Sequence, residues 1–529
     1  MQFFSILIYL KKNLVCDIIS LERFEFMKKI LTIIFDGFGI RNDEDGNAIK
    51  KANMVNFNEF YNKYPHSTLH ASGHYVGLHD GQFGNSEIGH MTIGAGRRIY
   101  SREILTDRFL EKLDECNNEA FLDLKNNLNK RVHIMGLASD GNVHAGIDDF
   151  INLYNYLIKL GFKEIYFHLI TDGRDTDTQS SYKYISMIES IIKKNKIGSI
   201  ATVCGRYYAM DRDENYDRTK LYYDLITKGS SVEILNIQSA INASYEKGVT
   251  DEFLKPMLVD HNGLIKNGDI LFWMNYRTDR SKQILLALTN PKFNAFPTIE
   301  MPNLELFTFF NHDKAINANV LIEEPKVENS LGLYFSKLGL TQARIAESEK
   351  YPHVTYFFDE GYEGKLPGTD KFHIPSPDVA TYDLKPEMSA ISVTKKVITC
   401  MEQDYDFILV NFANPDMVGH TGSMDAATKA CMAVDICFSK IVQAAEDNFY
   451  TIVLLADHGN ADTMINTDGS VCTTHSLADV PFVISDEKIE LKEEGDLTNV
   501  APTILDYMDI SIPEEMTGES LIINDKKAI

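Results

Sequence analysis

No apolar run in this sequence is long enough to cross a bilayer. Phe3-Phe4-Ser5-Ile6-Leu7-Ile8-Tyr9-Leu10 is too short. It is followed by Lys11-Lys12, where a secretory signal would carry its charge in front and a small-residue cleavage site behind. Metal-type cysteine spacing is also missing. The seven cysteines, Cys16, Cys116, Cys204, Cys400, Cys431, Cys437 and Cys472, form no CxxC unit, so free buried thiols in a reducing compartment are expected rather than a thiolate metal site. Positive charge is scarce: the net charge is -24, which argues against nucleic acid or an anionic membrane as partner. There is no internal repeat and no low-complexity tract.

What remains is the composition of a soluble enzyme, 44% hydrophobic and 24% charged. At 529 residues the chain is too long for one ordinary core, so at least two domains are expected. Cytoplasmic location and a monomeric state are the expectations. Met27-Lys28-Lys29-Ile30 resembles a natural start, and residues 1–26 read as an extension of no assigned role.

Continuous apolar runs mark strands buried on both faces, the signature of a parallel sheet. Ile30–Phe35 ends in Asp36, Phe407–Phe412 leads to Asp416, and Ile452–Ala456 ends in Asp457. Carboxylates at the C-terminal ends of such strands lie where open α/β sheets bind ligands. His420, His458 and His475 stand close to them in sequence. Asp416 and His420, at i and i+4, share one face of a helical turn. Adjacent Asp457 and His458 are expected to diverge, so that they could serve two different ions. Three aspartates and three histidines would repel and desolvate one another without cations. A thiolate-free carboxylate–imidazole set suits manganese, zinc, iron or magnesium.

Gly84-Asn85-Ser86-Glu87-Ile88-Gly89-His90 reads as a loop opening a helix and exposing a hydroxyl, its glycines letting the backbone approach a ligand. From about residue 101 the texture changes, and strand ends now carry arginine. Arg174, Arg206, Arg212, Arg277 and Arg280 gather at strand tips in a lysine-dominated chain, which suits bidentate recognition of phosphate and carboxylate. Near Glu323-Glu324-Pro325 the first texture returns. The simplest architecture is α/β: residues 27–100 with 325–529 as one domain, and 101–324 inserted.

The motifs GQFGNSEIGH, ASDGNVH, TDGRD, GRYYAMDRD, NYRTDR, AESEKYPHVTYFF, NFANPDMVGHTG and ADHGNAD, with the lone His475, resemble those of the cofactor-independent (2,3-bisphosphoglycerate-independent) phosphoglycerate mutases of the alkaline phosphatase-like superfamily. The resemblance runs from about Lys28 to the C-terminus. It implies a phosphatase-like metal domain with an inserted substrate domain, and interconversion of 3- and 2-phosphoglycerate through a phosphoserine. By resemblance Ser86 is the nucleophile. Asp36, Ser86, Asp457 and His458 would hold one manganese, and Asp416, His420 and His475 the other. His144, Arg174, Asp175, Arg206, Arg212, Arg277, Arg280 and Lys350 would bind phosphoglycerate, with Asp175 and Lys350 also catalytic. His79 and Ser476-Leu477-Ala478 depart from the family pattern without removing a candidate ligand. A phosphopentomutase, a phosphatase of the superfamily or an inactive homologue are the rival readings; zinc, iron, cobalt or magnesium the rival ions.

Overall fold

The computed structural model describes residues 28–324 and 328–523. The segment 1–26 lies outside them, as does Cys16; the other six cysteines are free thiols. The chain forms two compact α/β units. One is built from residues before Ser101 and from Lys326 onward, the other is Ser101–Pro325.

The first unit is organised around the strand Lys29–Phe35, whose sequence KILTIIF is buried over all but its first residue. It pairs in parallel with Phe407–Phe412 on one side and Tyr450–Leu455 on the other. The eight-stranded sheet runs in the order Thr369–Ile374, Gln342–Glu347, Phe407–Phe412, Lys29–Phe35, Tyr450–Leu455, Val480–Ile484, His66–His70, Glu494–Asp496. Helices such as Ala390–Glu402 and Met424–Asp447 bury their apolar residues in the same core. Because the first strand lies between the other two, the chain leaves all three at one edge of the sheet. Asp36 follows its strand directly, Asp457 comes two residues after its own, and Asp416 lies in the short helix Asn414–Gly419 just past the third.

The second unit has its own eight-stranded sheet: Asn319–Val320, Glu305–Thr308, Ile270–Trp273, Val132–Leu137, Ile165–Thr171, Ser199–Gly205, Met257–Leu258, Val232–Glu233. The central four strands are parallel. Their inward apolar residues form a separate core. The arginines predicted at strand tips follow these strands. Among the described residues no helix is long and apolar enough to cross a membrane.

Candidate metal centre and anion cup

Ser86 is the first residue of the helix Ser86–Ala95. Asn85 caps it: its side-chain oxygen accepts the Ile88 N–H at 2.9 Å, satisfying one of the donors a helix start leaves open. The glycines of this loop serve a different purpose from the one expected. A Cβ on Gly84 would sit 2.0 Å from the Ala71 carbonyl oxygen, and one on Gly89 2.7 Å from the Asp457 carbonyl oxygen. Their missing side chains admit neighbouring backbone rather than a ligand. The effect is to press the Ser86 helix against the tip of the Tyr450–Leu455 strand.

The Ser86 hydroxyl is buried. Its Oγ lies 3.1 Å from Asp36 Oδ1, 2.9 Å from His458 Nε2 and 2.6 Å from Lys350 Nζ. The Lys350 ammonium also donates to Asp36 Oδ1 at 2.8 Å and Asp416 Oδ2 at 2.6 Å. Burial works strongly against the Lys350 charge, but Asp36, Asp416 and Asp457 outweigh it and hold the ammonium far above its ordinary range. For Asp36 burial again opposes ionisation, and Lys350 and His458 overcome it.

The histidines carry the clearest signal. His420 Nδ1 faces the Thr473 carbonyl at 2.7 Å, His475 Nδ1 the Gly84 carbonyl at 2.8 Å, and His458 Nδ1 the Gly459 carbonyl at 3.2 Å. A carbonyl only accepts, so each Nδ1 carries a hydrogen and each Nε2 is the ring atom turned toward the carboxylates. Those Nε2 atoms converge. The Nε2 atoms of His420 and His475 are 3.0 Å apart, and each lies within 3.3 Å of Asp416 Oδ1. Atoms of this kind at this range are reconciled by positive charge, supplied by a bound metal ion or by the second proton that Asp416 favours on His420 and the buried aspartates favour on His458. Imidazoles oriented by a carbonyl on the far nitrogen are the usual surroundings of a bound metal. Charge gives the same answer: Asp36, Asp416 and Asp457 are at most 1% exposed, against the one ammonium of Lys350. Asp457 Oδ2 is buried with no hydrogen-bond donor on it. The donor set therefore fits divalent cations. The described residues include two tight triads of prospective ligand atoms, Asp416/His458/His475 and Asp36/His90/Asp457.

Asp416 and His420 share a helical turn as expected, with the His420 N–H donating to the Asp416 carbonyl at 3.0 Å. Asp457 and His458 do not diverge: His458 Nε2 and Asp457 Oδ2 are 3.7 Å apart. The strand has ended at Leu455, so the alternation of a β-strand no longer separates the two side chains. His90, Asn411 and Asn460 are further members of the centre that sequence reasoning did not single out. Asn460 Nδ2 donates to Asp416 Oδ1 at 2.8 Å. His90 could have been found from its spacing, since i+4 from Ser86 in a helix lies on the same face.

In the second unit the arginines gather, but their cup is interleaved with carboxylates. Arg206 is not a free arm. Only 3% exposed, it donates to Asp172 Oδ1 at 2.6 Å and also to Asp175. Asp172 organises this corner: it accepts the backbone N–H groups of Arg174 and Asp175 at 3.1 and 3.0 Å, and the Ser139 hydroxyl at 2.7 Å. Asp279 takes Arg212 at 2.8 Å and lies 3.3 Å from Arg277. Neither aspartate was expected as a site residue, although both stand inside quoted motifs. Burial first, then the guanidiniums of Arg212, Arg206 and Arg174, lower the pKa of Arg280, the mark of a crowded cationic pocket. His144 is held to the arginine loop by its carbonyl, which accepts the Tyr276 N–H at 2.8 Å. Burial and then Arg206 push its imidazole down to about 4, so it is neutral at physiological pH.

A buried carboxylate–imidazole centre at the tips of a parallel sheet, around a hydroxyl, defines a metalloenzyme. The chain matches the Metalloenzyme superfamily over residues 28–512. It is 43% identical over 511 residues to the 2,3-bisphosphoglycerate-independent phosphoglycerate mutase of Clostridium tetani, covering 94% of this chain and 99% of that one. The enzyme of the same name from Staphylococcus saprophyticus is 41% identical, covering 93% and 98%. A solved phosphoglycerate mutase of Leishmania mexicana, crystallised at low cobalt concentration, has a TM-score of 0.59 at 27% identity, covering 94% of this chain and 98% of that one. The chain belongs to the 2,3-bisphosphoglycerate-independent phosphoglycerate mutase family.

Proposed function

We propose that this enzyme interconverts 3-phosphoglycerate and 2-phosphoglycerate through a phosphoserine on Ser86. The observation that carries the reading is the buried Ser86 hydroxyl, in reach of Asp36, His458 and Lys350 together. Asp36, Ser86, Asp457 and His458 would hold one divalent ion, and Asp416, His420 and His475 the other. Bound there, such ions would neutralise the carboxylates and lower the pKa of an adjacent hydroxyl. The oxygen and nitrogen donors, with no thiolate, suit manganese, zinc, iron or magnesium, and the family resemblance favours manganese among them.

Ser86 releases its hydroxyl proton to solvent, and its Oγ attacks phosphorus as the bond to the glycerate oxygen breaks; the serine oxygen takes a proton back when the phosphoryl group leaves it in the second step. Lys350, hydrogen-bonded to Ser86 Oγ, places a fixed positive charge beside the phosphoryl oxygens. Arg174, Arg206, Arg212, Arg277 and Arg280 hold the anionic groups of the substrate, and His144 offers a neutral imidazole to it. Asp175 takes the proton of the glycerate hydroxyl that attacks and returns one to the hydroxyl oxygen that leaves. The second attack, on phosphoserine, gives the other isomer and restores Ser86.

In an assay of 3-phosphoglycerate with manganese and no bisphosphoglycerate, the wild type should form 2-phosphoglycerate and Ser86→Ala should show none. Normal turnover by that variant would overturn the scheme.

A further inference from the structure

His90 differs from the other histidines of the centre in one respect. Its Nδ1 likewise faces a carbonyl, that of Ser86, at 2.8 Å. Its Nε2, however, is not a free lone pair: the Asn411 amide nitrogen lies on it at 3.1 Å. The same amide nitrogen donates to Asp36 Oδ2 at 2.7 Å. An amide oxygen in that place would face a carboxylate oxygen, so the orientation of Asn411 is fixed, and with it the tautomer of His90. His90 therefore carries its hydrogen on Nδ1 and accepts on Nε2. Neither nitrogen is available to a metal, although Nδ1 is only 3.1 Å from Asp457 Oδ2. Its N–H instead presents a positive edge to that otherwise undonated oxygen.

The consequence is a continuous strut. Asp36 follows the central strand, Asn411 stands on its parallel neighbour, and His90 lies on the Ser86 helix, one turn beyond the serine. Through Asn411 and His90 the carboxylate of Asp36 is tied to the first turn of that helix and to Asp457. His90 and Asn411 are both fully buried.

We propose that His90 and Asn411 form a positioning pair that holds Asp36, Asp457 and the Ser86 turn in the arrangement that receives one of the two ions. It rests on the two-ion reading above. Neither residue ligates an ion or touches substrate. Losing such an outer partner ordinarily weakens metal affinity 10–100-fold.

The test is a calorimetric titration of chelator-stripped full-length protein with manganese. Wild type should bind two ions; failure to do so would sink the two-ion reading itself and is seen before any variant is made. In His90→Ala one affinity should fall about 10–100-fold while the other holds. His90→Asn puts an amide N–H where Nδ1 stands but has no atom at the Nε2 position, so it should recover only the part of the loss that comes from Asp457 and the Ser86 turn. Asn411→Leu should weaken the same ion from the opposite end of the strut, which keeps the question open if His90→Ala does not fold. Two affinities unchanged in both His90→Ala and Asn411→Leu would overturn the proposal. An independent reading comes from 15N-histidine correlation spectra of the stripped wild type. They should show the hydrogen of His90 on Nδ1; a hydrogen on Nε2 would refute the strut.

Discussion

Lys350 puts one ammonium among three buried carboxylates and against the serine hydroxyl. Lys350→Met keeps much of the volume and removes the charge. Its kcat should fall about 10²–10³-fold, the usual cost of one preorganised donor at a reacting group. A variant within a fewfold of wild type in steady-state assays would deny Lys350 that role. In the second unit, burial and then Arg102 hold His312 down to about 4. A histidine depressed in the folded state contributes stability that is present above its unfolded value of about 6.5 and is lost as pH falls through 4. His144 behaves in the same sense. Urea unfolding followed from pH 7 to 4 should show falling stability, and His312→Leu should flatten part of that limb. An unchanged slope would mean that His312 is not among the protons taken up.

At the scale of elements, the Ser86 helix is set by absence of side chains. Gly89→Ala would place a methyl 2.7 Å from the Asp457 carbonyl oxygen and 2.9 Å from its Cβ. Backbone lies on that side, so the helix must shift. We expect a folded variant destabilised by about 1–3 kcal/mol, as for other overpacked sites, with kcat reduced because Ser86 moves with the helix. Urea denaturation and steady-state assay measure the two effects; wild-type kcat in a destabilised protein would separate the helix from the chemistry. The strands themselves were legible as unbroken apolar runs, because a strand covered on both faces needs no polar alternation. The short range of the Asp457–His458 pair was not legible, since it depends on where the strand stops.

At the scale of the molecule, the centre is a charge imbalance buried in a sheet edge. Stripping divalent ions should lower stability and abolish activity together, and adding manganese back should restore both. Binding to the folded state alone adds about 2.7 kcal/mol at a ligand concentration of 100 Kd. The check is a melting temperature that rises with manganese and is insensitive to it in Asp416→Asn combined with Asp457→Asn. A transition that ignores chelation in wild type would mean the carboxylates are balanced some other way.

The sequence by itself determined the α/β class, the strand-end carboxylates and imidazoles, and the gathering of arginines, because each is a local property of a run and its terminus. Tertiary structure alone decided that the Lys29–Phe35 strand lies between its two partners and so brings Asp36, Asp416 and Asp457 together. It also decided that Arg206 is clamped by Asp172 and Asp175, and that His90 meets Asn411. Those are pairings between residues far apart in the chain, fixed by sheet order and helix packing, and no local pattern encodes which strand end a side chain will face.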